Sequence, residues 1–100
     1  MRSTEDRLEE LEQIAESLKA LTHPVRIRIL QELKAGKKCV SELSEKIGVA
    51  QASISQHLGL LRSSGWIIRE KRSLYVYYSL SDKEISLALR RILEIIDKFK

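Results

Sequence analysis

A mainly α (α+β) chain with one β-hairpin is what this sequence predicts, on three observations. Leucine, isoleucine and valine recur at spacings of three and four over five separate stretches, as on the inner faces of amphipathic helices. Between the fourth and fifth stretches, residues 66–69 and 75–80 are dense in Ile, Val and Tyr and flank a charged segment, the pattern of two hairpin strands. The third helical pattern stops at Gly48 and a fourth restarts within three residues at Gln51, which makes a helix, a tight turn and a helix. One hundred residues with 43% hydrophobic content suit one compact domain over residues 1–100.

The first helix is expected over residues 4–21, with Leu8, Leu11, Ile14, Ala15, Leu18 and Leu21 on one face and charges elsewhere. Its apolar stripe is wider than a peripheral helix needs, so a long partner helix is expected against it. Thr22, His23 and Pro24 break the pattern; Pro24 suits the first position of a second helix and leaves His23 as a mediocre cap. That helix turns Val25, Ile29, Leu30 and Leu33 inward, keeps Arg26, Arg28 and Lys34 outside, and ends at Ala35 and Gly36. Residues 37–40 allow a brief extended segment, and the third helix starts near Ser41. Leu43 and Ile47 are its apolar positions.

In the fourth helix Ile54, Leu58 and Leu61 fall at i, i+4 and i+7, so Gln51, Ala52, Ser53, Ser55 and Gln56 point away from them. Gln and Ser both donate and accept, which suits base edges in a DNA groove, and a helix N-terminus draws phosphate. Ser63, Ser64 and Gly65 end the helix. The hairpin follows, turning around residues 70–74, with Trp66 expected at its base and Arg69, Lys71 and Arg72 near its tip. Tyr75 and Tyr77 share one face and Tyr78 takes the other, where packing is their default role. Ser81 with Glu84 reads as a capping box opening a last helix to about Phe99, whose inner face would be Ile85, Ala88, Leu89, Ile92, Ile96 and Phe99.

This order of elements is the winged helix-turn-helix arrangement, with long helices added at both ends. A single small core cannot cover two long apolar stripes. Pairing residues 1–21 and 82–99 across a two-fold axis would, which predicts a homodimer with Leu8, Leu11, Ala15, Leu18, Ile85, Leu89, Ile92 and Ile96 at its interface. Two-fold symmetry would set the two recognition helices roughly 34 Å apart, one turn of B-DNA, so the expected target is an inverted repeat in double-stranded DNA.

Charge supports a polyanionic partner. The chain carries 18 Lys and Arg against 14 Asp and Glu, a net charge of +4, but residues 1–21 are net −3 and residues 22–100 net +7. The positive charge lies with the helix-turn-helix. One cysteine excludes an internal disulfide and suits a reducing cytoplasm. The charged start MRSTEDRLEE and the short apolar runs predict neither a signal peptide nor a membrane span.

The runs ALTHPVRIRILQELKAG, CVSELSEKIGVAQASISQHLGLLRSSGWI and IREKRSLYVYYSLSD resemble the ArsR/SmtB family of small dimeric winged-helix repressors. The likeness covers residues 18–82, and AxxSISQHLxxLRxxG is its most specific part. It implies a fourth helix in the major groove and a wing along the backbone. Carried over residue by residue, it assigns Gln51, Ala52, Ser53, Ser55 and Gln56 to bases or adjacent phosphates, and Arg69, Lys71 and Arg72 to the wing; His57 and Arg62 on the same helix are expected among the DNA-binding residues beside them. His57 is open between a phosphate contact, a packing role beside Leu58, and both. Two departures stand out. Gly59 replaces a basic residue frequent in the family, and a glycine within a helix calls for close packing or close approach to DNA. Ala50 replaces the polar cap before the fourth helix.

The family's metal sites do not carry over. One is built on a Cys-Val-Cys run, and here the run is Cys39, Val40, Ser41, where a hydroxyl replaces the second soft ligand. Another uses Asp and His on the last helix, and no histidine follows His57; Asp82, Glu84, Glu94 and Asp97 read as caps and a solvated face. With only His23, His57 and Cys39, one chain assembles no ordinary zinc site, and no metal or cofactor is expected. Cys39 itself has two readings. It is a small apolar residue beneath the third helix, or a thiol sensor activated by Lys37, Lys38 and a helix N-terminus.

Three functional classes are weighed. A DNA-binding transcriptional regulator, most simply a repressor, draws affinity from the basic residues and specificity from the Gln and Ser edge contacts. A winged-helix interaction module in a transcription or chromosome-associated assembly is the alternative. An enzyme is not expected, since no glycine-rich phosphate loop, carboxylate pair or nucleophile with a base is present. The effector, if there is one, is not written in the residues.

Overall fold

The computed structural model describes residues 4–99, and its elements follow the order α1 (Thr4–Lys19), α2 (Pro24–Lys34), α3 (Val40–Ile47), α4 (Gln51–Ser63), β1 (Ile67–Arg72), β2 (Tyr75–Leu80) and α5 (Lys83–Asp97). The core is one cluster built from Ile29, Leu30 and Leu33 of α2, Leu43 of α3, Ile54, Leu58 and Leu61 of α4, the base of the wing at Ile67 and Leu80, and Leu89 and Leu93 of α5. Helices α2, α4 and α5 contribute residues spaced three or four apart, so each turns a single stripe inward. Burying nine large side chains almost completely is what holds the small unit together.

Helix α1 contributes nothing to that core. None of its residues is buried, and Leu8, Leu11, Ile14 and Leu18 are each 49–58% exposed. Its C-terminal end and the residue after it are tied to the core: Ala20 is buried, Trp66 Nε1 donates to Ser17 O at 2.7 Å, and Arg26 Nε donates to Ala20 O at 2.6 Å. Trp66 thus joins the base of the wing to α1. A radius of gyration of 14.9 Å, against about 13 Å for a compact chain of this length, records the projection of α1 from the rest.

Helix α2 starts at Pro24, whose missing N–H costs nothing there. His23 is a working cap rather than a mediocre one, because its Nδ1 accepts from Val25 N at 3.1 Å. Arg26 and Arg28 are half-buried instead of lying outside. The segment between α2 and α3 joins the wing: Lys38 and Tyr78 exchange two backbone hydrogen bonds, of 3.0 and 2.8 Å. Helix α3 starts one residue earlier than expected, at Val40.

The hairpin differs from its sequence reading in length. Strand β1 starts after Trp66 and runs to Arg72, antiparallel to β2, with pairs from Ile67↔Leu80 to Arg72↔Tyr75. The turn is only Ser73 and Leu74, so Arg69, Lys71 and Arg72 lie on the strand and not in a loop. The strand tolerates four consecutive charged residues because, beyond Ile67, it is exposed.

Helix α5 departs most. Its cap is Asp82, whose Oδ1 accepts from Ile85 N at 3.0 Å, and not Ser81, whose Oγ donates to Gly65 O at 2.5 Å. Its inner stripe is Leu89 and Leu93, with Ile85 and Ile96 partly buried against the core. Leu89 is therefore a core residue and unavailable to a partner chain. Outward lie Ala88, Ile92, Ile95 and Phe99, spaced i, i+4, i+7 and i+11, so Ile92, Ala88 and Phe99 face away from the core. Among the described residues no helix is long and apolar enough to cross a membrane.

Candidate nucleic-acid interface

The position of α4 follows from its own buried stripe. Ile54, Leu58 and Leu61 have no exposed surface, and they fix the helix in rotation about its axis. The chain reaches α4 through Gly48, whose φ of 84° is a left-handed conformation that ends α3. Ser44 Oγ donates to Val49 O at 2.6 Å across the same turn. With α4 held in this way, Gln51, Ala52, Ser55 and Gln56 are exposed and Ser53 half-exposed. Ala50 offers no side-chain cap, so amides of the first turn are left for an outside acceptor. Arg62, exposed in the last turn, is the first charged residue along α4.

The wing's basic residues divide between two faces. Side chains alternate along a strand, so Arg69 and Lys71 share the side of buried Ile67, opposite Tyr78 and Val76. Arg72 shares the other side with Ile68 and Glu70, opposite Tyr75, Tyr77 and Ser79. There Arg72 Nε pairs with Glu70 Oε1 at 2.5 Å, and the guanidinium hydrogen bond holds the Glu70 carboxyl below the usual carboxylate range. Tyr75 and Tyr77 lie 6.3 Å apart between ring centroids, and Lys37 Nζ sits 5.5 Å over the Tyr77 ring. Neither Glu70 as partner of Arg72 nor Lys37 as a wing cation was assigned from sequence. The strand spacing of Glu70 and Arg72 carried the first; nothing local carried the second, since Lys37 reaches the wing only through the pairing of Lys38 with Tyr78.

His57 stands apart from the polar face. Its ring lies 4.4 Å from that of His23, and its Nδ1 is buried with no hydrogen-bond partner among the described residues. Burial, with His23 and Arg26 nearby, holds His57 below the ordinary histidine range. Of its readings the packing role is the one this geometry displays, between α4 and the start of α2.

Cys39 is not beneath α3. It is the residue before the helix, half-buried, with Sγ 3.1 Å from both Ser41 Oγ and Glu42 Oε1. Its backbone N–H donates to the same Glu42 oxygen at 3.0 Å. These bonds, the backbone one first, hold the Glu42 carboxyl below the usual range. Capping replaces core packing as the role of Cys39. Among the described residues no three His, Cys, Asp or Glu side chains gather as a metal ion would need.

Five helices, a tight α3–α4 turn and a two-stranded wing define a winged helix-turn-helix protein. Residues 23–68 match the family described as "Bacterial regulatory protein, arsR family". The chain is 36% identical over 78 residues to the biofilm growth-associated repressor of Xylella fastidiosa (strain Temecula1), which spans 78% of this chain and 68% of that protein. It is 35% identical over 83 residues to the arsenical resistance operon repressor of Bacillus subtilis (strain 168), covering 82% of this chain and 79% of that one. The crystal structure of the transcriptional repressor BigR from Xylella fastidiosa superposes with a TM-score of 0.78 at 30% identity, over 98% of this chain and 97% of that chain. The chain belongs to the ArsR family of bacterial regulatory proteins.

Proposed function

We propose that this protein is a sequence-specific, double-stranded-DNA-binding transcriptional regulator of the cytoplasm, acting as a homodimeric repressor without the metal ligands of the family's metal sensors. The observation that carries this reading is the outer face of α4, where exposed Gln51, Ser55 and Gln56 stand over a fully buried stripe. Uncharged donor-acceptor side chains on a rigid helix suit base edges. Arg62, Arg69, Lys71 and Arg72 supply the phosphate contacts around it. The two curated relatives described above are both named repressors, which agrees with this direction of action.

Dimerisation rests on the two uncovered stripes. Leu8, Leu11, Ile14, Ala15 and Leu18 of α1 and Ala88, Ile92 and Ile95 of α5, with Phe99 just past its end, are exposed in the single chain, and a second copy would cover both. Residues 1–100 then act as one DNA-binding unit whose end helices form the interface, and an inverted repeat is the matching operator. Light scattering should give twice the monomer mass, and Leu11→Asp should halve it.

Enrichment of duplexes from genomic DNA by the purified protein tests the main reading. Against the selected site, Gln56→Ala should relax base preference by about 1–3 kcal/mol. Arg72→Ala should weaken all sequences alike and lower the salt slope by about one. Equal binding of random and enriched duplexes by the wild type would return the chain to the interaction-module reading. Equal operator affinity for Cys39→Ser and for oxidised wild type would exclude a thiol signal.

A further inference from the structure

Gly59 occupies the middle of α4, two residues before buried Leu61, and after proline glycine is the poorest helix former. Three local reasons for a glycine fail here. Its backbone is ordinary, since the positive-φ glycines are Gly36, Gly48 and Gly65. A Cβ built at residue 59 meets nothing within 4 Å, so no neighbouring side chain requires the gap. Gly59 is also exposed and well inside the helix, away from either cap.

Its place on the helix supplies a fourth reason. Helical spacing puts Gly59 one turn beyond Ser55 and Gln56 and two turns beyond Ala52, on the same outward face. From Gln51 to Gly59 that face carries no charged side chain and nothing longer than glutamine, and Arg62 follows only at its far end, in the last turn. A glutamine has a shorter reach than a lysine or arginine, so base edges come within its range only if the helix axis lies deep. A helix with its side chains measures about 10–12 Å across and the major groove about 12 Å, which leaves little slack for bulk on the inserted face.

We infer that Gly59 is a specificity determinant: its missing side chain lets α4 seat deeply enough for Gln51, Ser55 and Gln56 to reach base edges. The inference rests on the reading of α4 as the recognition helix. It goes further by assigning a function to a position where a side chain would meet nothing within the chain.

Gly59→Ala and Gly59→Lys, measured beside Gln56→Ala, test it on the 100-residue chain with the enriched duplex and a scrambled one. Gly59→Ala should melt at a higher temperature, keep the wild-type mass in light scattering, and lose about five- to a hundredfold in affinity for the enriched duplex, the range of one mismatched base pair. Its affinity for scrambled DNA should stay within about twofold, because phosphate contacts dominate there. Gly59→Lys should bind scrambled DNA more tightly while discriminating less. A Gly59→Ala protein that discriminates like wild type, melts lower, or changes its mass would overturn the inference. If Gly59→Ala discriminates normally while Gln56→Ala does not, α4 still reads DNA and only the role of Gly59 falls. If neither variant changes discrimination, the recognition-helix reading falls with it.

Discussion

The imidazoles of His23 and His57 stack 4.4 Å apart at a 45° tilt, joining the cap of α2 to the middle of α4. His23 is committed through Nδ1 to the amide of Val25, and His57 Nδ1 is buried without a partner among the described residues. Protonating His57 would place an unpaired N–H in a dry site beside Arg26 and His23, which explains why its neutral form is favoured.

A pH dependence follows. An unfolded chain takes up this proton near the ordinary histidine value of 6.5, while the folded one resists until lower pH. Below that value the unfolded state therefore binds more protons, and stability falls as pH drops from 6.5 toward the folded value. The slope from one group is at most about 1.4 kcal/mol per pH unit. Urea melts from pH 8 to pH 5, at fixed protomer concentration, should show this loss in wild type and a smaller one in His57→Leu. An undiminished slope in the variant would assign the effect elsewhere.

What was legible beforehand depended on how local the cause is. The α3–α4 turn and the inward Ile54, Leu58 and Leu61 were written in spacing and in Gly48, so the polar face of α4 could be placed. On α5 the apolar residues span a wide arc. Periodicity gives that arc but not which edge meets α2, so Leu89 was assigned to an interface and Leu93 was overlooked. The contacts of His57 with His23, of Trp66 with Ser17 and of Lys37 with Tyr77 join segments distant in sequence, and no short-range pattern encodes them.

The wing turn stores a small strain. Ser73 has a φ of 57°, a left-handed conformation that costs a residue with a Cβ roughly 1–2 kcal/mol. Glycine adopts it freely but has more freedom to lose on folding, so Ser73→Gly should gain up to about 1 kcal/mol. Ser73→Val should lose at least that much, since a β-branched residue fits the conformation worst. Leu74, 90% exposed beside it, should tolerate replacement by Ser within about 0.5 kcal/mol. Equal midpoints for Ser73→Gly and Ser73→Val in urea would contradict this account of the turn.

The start of α5 separates two neighbouring residues that each end at a hydrogen bond. Asp82 Oδ1 takes the amide of Ile85, and Ser81 Oγ holds Gly65 O at the base of the wing. Loss of a cap costs about 0.5–2 kcal/mol and loss of an ordinary hydrogen bond about 0.5–1.5, so stability alone will not distinguish Asp82→Ala from Ser81→Ala. Amide exchange will. Asp82→Ala should speed exchange at Ile85 and along the first turn of α5, whereas Ser81→Ala should leave those amides protected. Glu84 is not the third helical residue of a Ser81 box, and Glu84→Gln should cost no more than the few tenths of a kcal/mol that a first-turn carboxylate contributes at an exposed helix start. Faster exchange at Ile85 in Ser81→Ala, with none in Asp82→Ala, would restore Ser81 as the cap.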